Sequence, residues 1–152
     1  LVGEGVESTG AVWAEMARLD EQLIMAIYSK VSNQWTRISA KQEAADRMAV
    51  LSQQFSPEWQ ELGVAVLHRL VFDDILGLAD MPNPTYVHSV REVIEGLQGN
   101  LDGNLEYPLA AMVMPAAVQH IRSVSLTHER MPAKSTYFYP MLVSGLVVHP
   151  LT

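Results

Sequence analysis

The 152-residue chain contains no cysteine. Disulfides, thiolate nucleophiles and cysteine metal ligands are therefore excluded, and the residue that would report on redox compartment is missing. Lysine is almost absent: Lys30, Lys41 and Lys134 are the only three, and the ten basic residues stand against 17 acidic ones for a net charge of −7. Nucleic-acid affinity is dominated by phosphate neutralisation by Lys and Arg. With no basic cluster, binding to DNA or RNA is not expected as a main function, and an anionic membrane surface is a poor partner for the same reason. No run approaches the roughly 18 apolar residues of a membrane span. The N-terminus lacks the charged-then-apolar pattern of a leader peptide. Because the chain opens on Leu1 rather than Met, a processed or trimmed N-terminus is expected.

Charge of either sign is also scarce, at 18% of residues against the usual ~25%. Hydrophobic residues reach 49%. A chain of this length forms one domain that buries roughly 70% of its unfolded surface. So high an apolar content can fill that core and leave a surplus for contact with other subunits. We read residues 1–152 as a single domain with a helical core over about 10–98 and a mixed or extended segment over about 105–152.

The most informative stretch is 56–79, SPEWQELGVAVLHRLVFDDILGLA. Ser56 can accept a hydrogen bond from an orphan helix N–H, Pro57 suits the first helical position, and Glu58 complements the helix dipole. The run that follows is apolar nearly all round at helical spacing. Trp59, Val66, Leu67, Leu70 and Leu78 share one face, and Val64, Phe72, Ile75 and Leu76 occupy the other. Such a helix is covered on several sides, so it is expected at the centre of a bundle.

Around it, periodicity predicts an amphipathic helix over about 10–32, with Val12, Met16, Leu19, Leu23, Ile27 and Val31 in one stripe. Ser39 and Gln42 have capping-box spacing ahead of a second helix over about 40–54. Pro82 and Pro84 break the central helix, and Asn83 and Pro84 are placed to start another over about 84–98. After Gly99 the character changes. Leu109 to Met114 is a short apolar run between Pro108 and Pro115, and 116–126 reads as helix with strand as the alternative. Thr136 to Tyr139 and Leu146 to His149 look extended. The expected fold class is mainly α: a four- to five-helix bundle-like domain with an extended, β-containing C-terminal segment.

Asp73 and Asp74 break the central helix's own apolar pattern. A buried carboxylate must be paired, hydrogen-bonded or protonated. The expectation is a buried ion pair, Asp73 with Arg69 one turn earlier and Asp74 with an arginine or amide of a neighbouring helix. A functional acid or metal ligand is the sharper alternative. His68 with Glu61 and His88 with Glu92 lie at helical spacing, but a metal needs three or four converging ligands, and the Glu-x-x-His pairs of diiron bundles are absent. Phosphate-cradling and nucleophile-elbow motifs are also absent.

The role these features favour is a non-enzymatic structural or assembly protein, a subunit of a homo-oligomer or of a shell such as a virion coat, with no cofactor or metal. Its partners would be further copies or other protein subunits. The candidate interface residues are Phe72, Ile75 and Leu76 on the central helix and Tyr137, Phe138 and Tyr139 in the tail. Two alternatives stand beside this. In one, Trp13, Trp35, Trp59 and the eight methionines enclose a small apolar ligand. In the other, an enzyme has its acid, base or metal site around Asp73 and Asp74.

Overall fold

A computed structural model of the chain describes residues 2–79, 84–101 and 106–136. It overturns the mainly α expectation. Among the described residues 46% are helical and 15% lie in strands, and a four-stranded antiparallel sheet makes the fold mixed α/β. The elements run β1 (Gly3–Glu4), a 3-10 turn (Val6–Ser8), α1 (Thr9–Leu19), β2 (Ile24–Ser29), β3 (Gln34–Ser39) and α2 (Gln42–Leu51). Next come α3 (Pro57–Gln60), α4 (Gly63–Ala65), a π-helix (Val66–Ile75), α5 (Val90–Leu97), β4 (Leu109–Val113) and α6 (Val118–Leu126). Strand order across the sheet is β1-β3-β2-β4.

The predicted helix over 10–32 is a helix followed by a strand hairpin. α1 stops at Asp20, which takes the left-handed conformation (φ 51°) while its N–H donates to the carbonyl of Met16. β2 is an interior strand, flanked by β3 and β4, and both of its faces are covered. Leu23 to Tyr28 is accordingly apolar at every position. A run without polar gaps satisfies a helical stripe by default, and that is how the period misleads here. The hairpin turns over 30–33. Asn33 supplies the left-handed residue (φ 54°) and its side chain accepts the Tyr28 hydroxyl at 2.7 Å.

The pleat sends alternate residues of β2 into two cores. Met25 and Ile27, beside Ile38, Ala111 and Val113, face a cluster built by Met48 of α2, Trp59 of α3, Leu62, residues 64–67, Leu70 and Val71, and Val124 of α6. Ala26 and Tyr28, with Trp35 and Met112, face a second cluster built by Val12 and Met16 of α1 and Leu97 of α5. The sheet thus lies between two helical layers.

The central helix is real in part. Ser56 caps α3 as its sequence predicts, accepting the Trp59 N–H at 3.3 Å with Pro57 in the first turn. Glu129 then clamps this start: its carboxylate accepts the Ser56 N–H (2.7 Å) and hydroxyl (2.6 Å), and Trp59 Nε1 donates to the Arg130 carbonyl. α3 ends at Gln60, however, and the chain restarts at Gly63. A Cβ on Gly63 would stand 2.4 Å from the backbone oxygen of Gln22, so glycine permits that approach. Other local readings also shift. The capping box is not at Ser39, which belongs to β3. It forms at Ser89 and Glu92, where Ser89 Oγ accepts the Glu92 N–H and the Glu92 carboxylate accepts from Ser89 Oγ and the His88 N–H. The run 109–113 is strand β4.

Candidate functional site

From Val66 the helix widens to i→i+5 bonding, and Leu76 N–H donates to the Val71 carbonyl at 2.9 Å. π-helices usually occur as single-turn bulges, often at functional sites; this one extends over ten residues. It also crosses from the core to the surface. Val66, Leu67, Leu70 and Val71 are buried, Phe72 is half-buried, and Ile75 and Leu76 are 65% and 45% exposed. The next exposed aromatic, Tyr86, lies close by, its hydroxyl 3.3 Å from Nε2 of His68.

The two aspartates sit at this emerging end, and neither is deeply buried. Asp74 receives a two-pronged bond from Arg47 of α2, with Nε to Oδ2 at 3.0 Å and Nη2 to Oδ1 at 2.5 Å. That bond holds the Asp74 carboxyl below the ordinary carboxylate range and raises the Arg47 guanidinium. Asp73 faces Arg69 one turn back at 3.6 Å. Leu51, Arg69, Asp73 and Asp74 line an open depression of about 180 Å³. His68 packs edge-on to Phe72, with ring centroids 5.5 Å apart. Burial pushes its pKa down, Asp73 opposes that shift, and Arg69 adds to it.

A general acid at neutral pH needs a raised carboxyl pKa, and Asp74 is moved the other way. Among the described residues no three His, Asp or Glu side chains gather as a metal site would require. Glu92, the proposed partner of His88, accepts a backbone N–H from that residue in a helix cap. The tryptophans do not surround one space: Trp59 belongs to one core, while Trp35 and the partly buried Trp13 belong to the core across the sheet. A second cleft, bordered by α2, Pro57 and Val66, measures about 230 Å³, below the ~300–1,000 Å³ of ligand pockets.

Of the candidate residues, Arg69, Phe72, Asp73, Asp74, Ile75 and Leu76 therefore come together at the end of the π-helix. Tyr137, Phe138 and Tyr139 lie outside the described residues. Sequence reasoning did not identify Arg47 or Tyr86 as members of the group. Arg47 had no visible signal, because its pairing with Asp74 spans 27 residues. No protein-family model matches the chain, and neither a search of curated proteins nor one of solved structures returns a match.

Proposed function

We propose that the chain is a non-enzymatic assembly subunit that associates with further copies of itself through the end of the π-helix. The observation that carries this reading is the exposure of Ile75 and Leu76 next to half-buried Phe72 and exposed Tyr86. Burying an Ile or Leu side chain fully is worth about 1.5–3 kcal/mol, so leaving two adjacent ones in water is unfavourable unless something covers them. The Arg47–Asp74 and Arg69–Asp73 pairs flank this apolar centre. A polar border around an apolar middle is the usual anatomy of a subunit interface. The small cleft volumes and the lowered Asp74 pKa favour assembly over an enclosed ligand or acid–base chemistry.

Light scattering on the full-length protein at micromolar concentration tests the reading. A mass that is a multiple of the protomer, reduced by Ile75→Glu without loss of helix and sheet content, supports it. A protein that stays monomeric and soluble at every concentration overturns it.

A further inference from the structure

The outer edge of β4 is as open as the π-helix end. Lys30 N–H donates to the Pro108 carbonyl at 2.9 Å, which makes that pair a hydrogen-bonded one. Tyr28↔Ala110 and Ala26↔Met112 follow at steps of two. The N–H and C=O groups of Leu109, Ala111 and Val113 must then point away from β2. Among the described residues no strand pairs on that side, and no other hydrogen bond reaches those groups. Exposed edges are ordinarily guarded by charge, proline, a bulge or shortness. The opposite edge, β1, is two residues long. β4 has five, LAAMV, with no charge or proline, in unbroken register with β2.

We infer that a second copy of this chain pairs with β4 edge to edge about a two-fold axis, joining the two sheets into one. The inference rests on the assembly reading and supplies one of its contacts. A second copy fits because the strand is complementary to itself. Antiparallel self-pairing sets Ala111 against the partner's Ala111 on the axis and Leu109 against the partner's Val113, and no like charges meet. Exposed apolar side chains lie towards both ends, Leu109 at 40% before the axis and Val118 at 76% beyond it. A two-fold brings the start of one strand to the finish of the other, and so brings each toward its counterpart. The charges are complementary as well. Glu106, paired with Lys30 in its own copy, reaches the first turn of the partner's α6. That turn carries no acidic residue of its own and presents the positive end of a helix dipole. With the π-helix end as a second contact, assembly can proceed past a dimer.

Absence of cysteine makes the test clean. A single Ala111→Cys substitution in the full chain has only another copy's position 111 to bond, and cross-strand Cα spacing suits a disulfide. On mild oxidation it is expected to form a covalent dimer at a rate about ten-fold or more above that of Gly10→Cys, a control in open space on α1. Leu109→Lys, at an already exposed site, is expected to weaken association by about ten-fold or more. If the wild type associates while Ala111→Cys crosslinks no faster than the control and Leu109→Lys changes nothing, the edge belongs to something else, the chain's own residues 137–152 included. The inference then fails and the assembly reading stands. A wild type that never associates overturns both.

Discussion

The stretch from Leu62 to Leu78 has two halves of similar composition and opposite fate. Leu62, Val64, Leu67 and Leu70 are buried, whereas Ile75 and Leu76, equally apolar, are largely in solvent. The difference lies in the neighbours. The first half has the sheet, α2, α3 and α6 around it, and its apolar area is withdrawn from water by this chain alone. Beyond Val71 the described residues offer Tyr86 and two surface ion pairs. Composition states how much apolar area a segment carries, and topology decides where it goes.

Truncation should separate the halves most sharply. Leu67→Ala or Leu70→Ala should cost about 2–5 kcal/mol in denaturant unfolding, while Ile75→Ala should stay within about 0.5 kcal/mol for the isolated protomer. Equal costs would erase the contrast. Next in size, Gly63→Ala should cost about 1–3 kcal/mol, because its methyl meets the Gln22 carbonyl rather than a yielding side chain. An unchanged midpoint would mean that the approach relaxes freely. Glu129→Ala should cost about 1–2 kcal/mol by leaving the Ser56 N–H and hydroxyl without their acceptor. If the loss is absent, the C-terminal clamp on α3 contributes nothing.

The smallest effect concerns pH. Burial lowers the His68 pKa in the fold below its ordinary 6.5, so in that range the unfolded chain binds more protons. Stability contributed by the neutral ring is complete above the unfolded pKa and declines as pH falls through it toward the folded value. A urea titration across this range should show stability rising with pH, and His68→Phe should flatten that slope. A slope unaffected by the substitution would assign it to other groups. Asp74 has the usual carboxylate sign, its contribution being present above the unfolded pKa of 3.8 and lost at lower pH.

What was legible in the sequence was mostly local. The Ser56–Pro57 helix start is present, and a helix over part of 116–126 forms as α6. The aspartates' disruption of an apolar helix marked the place where it meets the surface. The sheet was not legible, because its signals imitate something else. Leu23 to Tyr28 matches a helical stripe only because an interior strand is apolar on both faces. Leu109–Val113 is too short and too uniformly apolar for a period to separate strand from helix. The alternating QWTRIS segment of β3, with tyrosine and tryptophan on either side of a Ser-Asn turn, was the sequence signal that could have revealed the hairpin. The widening to π bonding and the Arg47–Asp74 bond are properties of packing, and no spacing in the chain encodes them.

The central claim is that the open half of this helix is covered by another copy. Sedimentation of the full-length protein over a range of concentrations tests it most directly. The account predicts a species that is a multiple of 16.8 kDa and that shifts toward the protomer in Ile75→Glu with the fold retained. A wild type that sediments at 16.8 kDa throughout the range would contradict it.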